Sequence, residues 1–334
     1  PVLAGAGGIV WACFPPQAFG MATCQAYAWC GTPMTTPTST ATPPTTPPMS
    51  PPDSPQEVWK KREVLRKALD GTGCRELQRQ LAADNFAESE QILRGLKGHV
   101  AEVASSPHGN FVLQAAVRLL RSVRLDFVAQ ELLEWRHPAE IAKHKYACRV
   151  MQRIVEFFPL ETSYPFLEGV VQNAEELMCH ALGNYCVQHS LEFGGEACCF
   201  ELALLVLKHA ADLAVDASGC GVLNKALVHA PETVRVKIAV VLLSSPDVVA
   251  RMASNQKSFA TTQSLFHVAE KYGPLRHRMR LQLQENATMI AGTKHGQALL
   301  RSLFPNVYTS AYGGGWSRQA QPTYRRQQTY SQAY

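Results

Sequence analysis

Gly183-Asn184-Tyr185-Cys186-Val187-Gln188 is the stretch that decides the fold, because its pattern returns along the chain. Gly109-Asn110-Phe111-Val112-Leu113-Gln114 has the same order: a small residue, an amide, a flat side chain, two spacers and Gln. Ala147-Cys148-Arg149-Val150-Met151-Gln152 and Gly73-Cys74-Arg75-Glu76-Leu77-Gln78 keep that order with Cys in place of the amide. Anchoring on the second residue gives Cys74, Asn110, Cys148 and Asn184, and the register continues to Cys220, Ser258 and Gly296. Successive anchors lie 36, 38, 36, 36, 38 and 38 residues apart. One such hexapeptide arises by chance, but a near-constant step over seven units marks a repeat array.

The columns around the anchor say what each unit is. Seven residues after it stand Leu81, Val117, Val155, Leu191, Leu227, Leu265 and Leu303. Three after it stand Leu77, Leu113, Met151, Val187, Leu223, Thr261 and Leu299, and six before it Ala68, Ala104, Ala142, Met178, Ala214, Met252 and Ile290. Offsets +3 and +7 are one helical turn apart and form an apolar stripe. The anchor and offset +4 form a second face, with offset +1 beside them. A unit of this length holds two or three short helices, and Pro107, Pro138, Pro159, Pro165, Pro231, Pro246 and Pro274 fall at the expected breaks. No strand pattern appears. The expected fold class is all-α, a solenoid in which each unit buries its apolar face against its neighbours.

The flanks differ in composition. Residues 1–52 contain no Lys, Arg, Asp, Glu or His, and Thr32 to Pro55 is dominated by Thr, Pro and Ser. Proline removes backbone donors and fixes φ, so a disordered apolar, then Thr/Pro-rich segment is expected over 1–55. The apolar start lacks the basic residues of a secretory or transit signal. The Tyr/Gln/Gly/Arg-rich residues 308–334 are likewise expected to be disordered, which leaves a repeat domain at 56–307. A net charge of +5 leans only slightly toward a polyanionic partner.

Enzyme chemistry finds no foothold. The ten cysteines form no CxxC pair, and the adjacent Cys198 and Cys199 suit neither a zinc knuckle nor a disulfide. His99, His144, His180, His189, His209, His229, His267 and His295 show no metal-ligand spacing and are assigned to helix ends and surfaces. Asp216 and Glu192 make no carboxylate pair, and there is no phosphate loop or nucleophile elbow. No metal, cofactor or catalytic residue is expected, and no apolar run is long enough to span a membrane.

Period and hexapeptide together resemble the Pumilio (PUF) family of RNA-binding repeats, over roughly Gln56 to Pro305. The resemblance is strong in repeats one to four and weaker in five to seven. It implies a right-handed superhelix of three-helix repeats whose second helices line a concave face, each reading one base of single-stranded RNA. The implied edge readers are Cys74 and Gln78, Asn110 and Gln114, Cys148 and Gln152, and Asn184 and Gln188. The implied stackers are Arg75, Phe111, Arg149 and Tyr185, which agrees with the affinity of bases for aromatic and guanidinium planes. Cys220, Asn224, Ser258 and Phe259 are weaker candidates. Gly221 gives no stacking plane, Thr262 is short, and Gly296, Gln297 and Leu300 have little to read. In the family, Asn with Gln reads uracil and Cys with Gln reads adenine, so repeats four to one imply 5′-UAUA-3′. Guanine reading uses Glu at offset +4, which no repeat has. The implied role is post-transcriptional regulation of mRNA in the cytoplasm, through untranslated regions, with protein partners on the convex face or tails. The alternatives are a helical-repeat scaffold for a protein or peptide, and a relative that binds structured RNA without sequence preference.

Overall fold

The computed structural model describes residues 54–83, 85–120 and 122–304, and the account below concerns these. The segments expected to be disordered lie outside them, apart from Ser54 and Pro55. Those two residues open the first helix, α1 (Pro55–Leu69). Ser54 Oγ accepts from the Glu57 N–H, and the Glu57 carboxylate accepts from the Ser54 N–H. This reciprocal cap, with Pro at the first helical position, starts the domain slightly ahead of the expected boundary.

Nineteen further α-helices follow among the described residues, in a cycle of three. The short first helices are α4 (Val100–Ser105), α7 (Pro138–Lys143), α10 (Ala174–Cys179), α13 (Ala210–Leu213), α16 (Pro246–Ser254) and α19 (Ala287–Ala291); α1 takes that place in repeat one. The second helices are α2 (Gly73–Ala82), α5 (Gly109–Leu119), α8 (Ala147–Phe157), α11 (Gly183–Phe193), α14 (Gly219–His229), α17 (Phe259–Glu270) and α20 (Lys294–Leu303). The third are α3 (Phe86–Leu96), α6 (Asp126–Trp135), α9 (Leu160–Gln172), α12 (Gly195–Lys208), α15 (Glu232–Ser244) and α18 (Gly273–Glu285).

Each second helix packs on the next, and the second helices approach one another more closely than the third helices do. A stack that is tighter on one side curves toward that side, so the second helices line the inner face. The apolar columns explain the packing. Ala68, Ala104, Ala142, Met178, Ala214, Met252 and Ile290 are all buried, as is the whole +3 column and the +7 column up to Leu265. One continuous core therefore runs from Val64 to Leu300.

The prolines fall at breaks between helices as expected, Pro107 in the turn between α4 and α5, with one exception. Pro138 opens α7, Pro159 and Pro231 precede α9 and α15, and Pro246 and Pro274 open α16 and α18. Pro165 instead lies inside α9. It is exposed near the helix start, and forgoes only the backbone bond to the Glu161 carbonyl.

Candidate nucleic-acid interface

The start of each second helix is set by a feature that the sequence columns did not disclose. Four residues before the anchor sits a side-chain acceptor for the first free N–H groups of the helix. Asp70 accepts from Thr72 and Gly73, Ser106 from His108 and Gly109, and Asp216 from Ser218 and Gly219. His144 Nδ1 accepts from Tyr146 and Ala147, and His180 Nδ1 from Leu182 and Gly183. The helix-end role expected for these two histidines is thus their actual one. The residue before the anchor is small because the first helix crosses there. A Cβ on Gly109 would lie 2.6 Å from the Val103 carbonyl oxygen.

These marks correct the register of the last two repeats by one residue. In repeat six the cap is Asn255, which accepts from the Lys257 N–H. In repeat seven it is Thr293, which accepts from the Gly296 N–H, and a Cβ on Gly296 would lie 1.9 Å from the Ile290 carbonyl oxygen. Ser258 and Gly296 therefore hold the small position, and Phe259 and Gln297 hold the anchor position. A contact between repeats agrees. Cys186, two after the anchor, donates Sγ–H to the Cys148 carbonyl at 3.8 Å, and Thr261 donates to the Cys220 carbonyl at 2.8 Å. Thr262 and Leu300 are buried and leave the inner face. Their places at offset +4 go to Gln263 and Arg301, and Ala260 and Ala298 stand at offset +1. Of the weaker candidates, Cys220 is buried with its one Sγ–H within reach of the Ala217 and Lys257 carbonyls, as suits a small core residue.

The eight edge candidates come together in register on α2, α5, α8 and α11, but differ in what they expose. Asn184 donates Nδ2–H to the His180 and Ala181 carbonyls at 2.8 and 3.1 Å, while its Oδ1 accepts from Gln188 Nε2 at 2.8 Å. Asn110 does the same with the Ser106 carbonyl and Gln114, each at 2.8 Å. Each Gln keeps its Oε1 and one N–H. In repeats one and three the anchors are buried thiols. Cys74 donates to the Gly71 carbonyl and Cys148 to the Lys145 carbonyl, and burial pushes both pKa values up, so both stay protonated. Gln78 turns back to its own helix at the Cys74 carbonyl, and Gln152 lies against Cys186 Sγ.

Of the four stackers, Arg75, Arg149 and Tyr185 are exposed and Phe111 is half-buried. The Arg149 guanidinium lies over the Tyr185 ring, 5.0 Å from its centre, so two neighbouring stackers meet. Below this line, offsets +5 and +8 carry charged and polar groups to which the sequence reading gave no binding role. Arg153 pairs with Glu156, and Glu192 with Lys225 of the next repeat.

His189 belongs to that row. It is half-buried beside Phe193, and its Nδ1, shut off from solvent, has no hydrogen-bond partner. Burial, then the nearby charges of Arg153, Lys225 and Arg149, push its pKa down to about 3. Unfolding restores a proton affinity near 6.5. The unfolded chain therefore binds more protons below that pH, and the stability present above about 6.5 is lost progressively as the pH falls toward 3. The slope from this group is at most about 1.4 kcal/mol per pH unit. Urea titrations across this range should show a shallower pH dependence for His189→Gln than for the native chain; parallel curves would refute it.

No cluster suited to a metal ion exists among the described residues, and no helix there is long and apolar enough to cross a membrane.

Comparison with known proteins places these repeats. The model of the Pumilio-family RNA binding repeat matches residues 99–133, 139–168, 173–203 and 209–243, which are repeats two to five. Pumilio homolog 9 of Arabidopsis thaliana is 25% identical over 161 residues, 47% of this chain and 28% of that protein. Pumilio homolog 12 of the same plant is 26% identical over 164 residues, 48% of this chain and 27% of that protein. The chain thus spans little more than a quarter of these relatives. Among solved structures, PUF-8 in complex with PBE-RNA superposes with a TM-score of 0.62 at 22% identity, covering 73% of this chain and 71% of that one. The Puf3 RNA binding domain bound to Cox17 RNA 3′ UTR recognition sequence site B gives 0.63 at 18% identity, covering 74% and 75%. The solenoid fold is the one these structures have, and repeats two to five are Pumilio-family repeats.

Proposed function

We propose that this chain binds single-stranded RNA along its second helices, and that repeats four to one read four consecutive bases, 5′-UAUA-3′. The observation that carries the reading is the Asn–Gln pair, seen in repeats two and four with a flat side chain beside it and alternating with Cys–Gln pairs in the same register. Uracil presents an N–H between two carbonyls. The Oε1 and remaining N–H of Gln188 match that N–H and one carbonyl. Adenine presents a donor beside an acceptor, which a carboxamide also matches. Cys is smaller than Asn and leaves room for the larger ring. Binding rather than catalysis is the proposed activity, with mRNA untranslated regions as the RNA and the cytoplasm as the place.

The test is titration of the chain with UAUA-containing and scrambled RNAs, which should differ clearly in affinity; equal binding would sink base reading. Tyr185→Ala should weaken binding by about 1–3 kcal/mol whatever base faces repeat four, because a stacking plane is indifferent to the base edge. If affinity is unchanged in that variant, α11 does not carry RNA, and a protein-binding scaffold becomes the better reading.

A further inference from the structure

We infer that repeats five to seven hold the 5′ part of the bound strand by its phosphates and leave its bases unread. This rests on the proposal that repeats four to one read 5′-UAUA-3′, which places the 5′ part of the strand on repeats five to seven.

Three independent observations carry it. First, the corrected register makes offset +1 small in every later repeat: Gly221, Ala260 and Ala298 stand where repeats one to four have Arg75, Phe111, Arg149 and Tyr185. No base can be stacked there. At the junction of repeats four and five, a Cβ on Gly221 would lie 2.8 Å from Gln188 Nε2, so the reader of repeat four leans over that glycine.

Second, the amides at the edge-reading positions of these repeats each make a hydrogen bond within the protein, and none has a stacking plane at offset +1 to bring a base against it. Asn224 Oδ1 accepts from Ser264 Oγ at 2.8 Å. Gln263 donates to Ser302 Oγ at 2.9 Å, and Gln297 to the Ala291 carbonyl at 2.7 Å.

Third, charge divides at the same boundary. Residues 54–209, repeats one to four, carry eighteen Lys or Arg against twenty Asp or Glu, whereas residues 210–304 carry eleven against six, five of the eleven on the outer helices α15 and α18. Lys257 and Lys294 are exposed at the rim of the inner face, Lys257 just before α17 and Lys294 at the start of α20. An acidic half with stackers and a basic half without them divide the two tasks of strand binding: base contacts specify and phosphate contacts hold.

The experiment uses the full chain and a UAUA core RNA. Four nucleotides are added on the 5′ side, either natural in mixed sequences or abasic, and an abasic 3′ extension serves as the control. At about 50 mM salt, the abasic 5′ extension should raise affinity about tenfold over the core alone, and natural bases should add less than about twofold in any sequence. The slope of log K against log salt should steepen by about 1.4–2.1, the effect of two or three neutralised phosphates at ~0.7 each. Lys257→Glu with Lys294→Glu, both on the surface, should remove most of the gain and leave core binding unchanged. No gain from the abasic 5′ extension, an equal gain on the 3′ side, or a clear base preference upstream would each overturn the inference. A scrambled core carrying the same extension tests base reading separately. If it binds as well as UAUA, the reading of repeats one to four fails while the upstream comparison still reports on repeats five to seven.

Discussion

Phe166→Ala is expected to cost about 3–5 kcal/mol of folding stability, read as a lowered urea midpoint, with base preference in the folded fraction unchanged. Phe166 is a large, fully buried side chain on α9. That helix packs against α7 and α8 of its own repeat, α6 of the repeat before, and α11 and α12 of the repeat after. Removing the ring leaves a cavity that three repeats would have to close together, and the crowded neighbours limit how far they can relax. In a solenoid, stability is roughly a sum of repeat and interface terms, so a cavity at a three-repeat junction weakens several terms at once. A loss below about 1 kcal/mol would mean that the site collapses freely and that the repeats are less interlocked than they look.

Asn184→Ser combined with Gln188→Glu is expected to turn repeat four from uracil to guanine, moving discrimination by about 1–3 kcal/mol. Guanine presents two donors, N1–H and the exocyclic amine, which a carboxylate can accept together and an amide cannot. The structure shows why both changes are needed. Asn184 holds its Oδ1 toward residue 188, because its N–H groups are committed to the His180 and Ala181 carbonyls. Gln188→Glu alone would set a carboxylate against that oxygen, acceptor against acceptor. A serine hydroxyl can turn its proton toward the carboxylate. The same commitment sets a cost: Asn184→Ser gives up two hydrogen bonds to the turn between α10 and α11 and should lower stability by about 1–2 kcal/mol. Titration with RNAs differing only at the base facing repeat four decides the matter. A double variant that still prefers uracil would show that α11 does not read the base edge.

Much of this molecule was legible in its sequence because repetition lets weak signals be summed. The columns led by Ala68, Leu77 and Leu81 gave the number of repeats, their buried stripe and the inner helix. The slip in the last two repeats was hidden by the same stripe. Thr261 and Thr262, Leu265 and Phe266, and Leu299 and Leu300 are all buried, so a register off by one still finds buried partners at the columns tested. The close crossing at Gly296, the caps at Asn255 and Thr293 and the Thr261 bond to the Cys220 carbonyl separate the two registers. Those depend on where the first helix passes over the second, which is a tertiary fact. The burial of Cys148 and the meeting of Arg149 with Tyr185 were equally out of reach, because both arise from contacts across repeats.

The double commitment of Asn110 and Asn184 also bears on the entropy of recognition. A carboxamide on an open helix surface would sample several rotamers and surrender them when a ligand arrived. Here the freezing takes place during folding, when the Asn side chain binds carbonyls of the turn after the preceding helix and Gln closes onto it. Little rotameric freedom remains to be lost on association. A rigid pair also cannot swivel to suit a mismatched edge, so a wrong base meets an unsatisfied donor or acceptor rather than an adjusted one. Repeats one and three lack this lock, since a buried thiol cannot hold Gln78 or Gln152 through a carboxamide bond. Selectivity along the strand should therefore alternate, strict where asparagine pins the reader and more forgiving where Gln78 and Gln152 are held only by a helix carbonyl and a thiol sulfur.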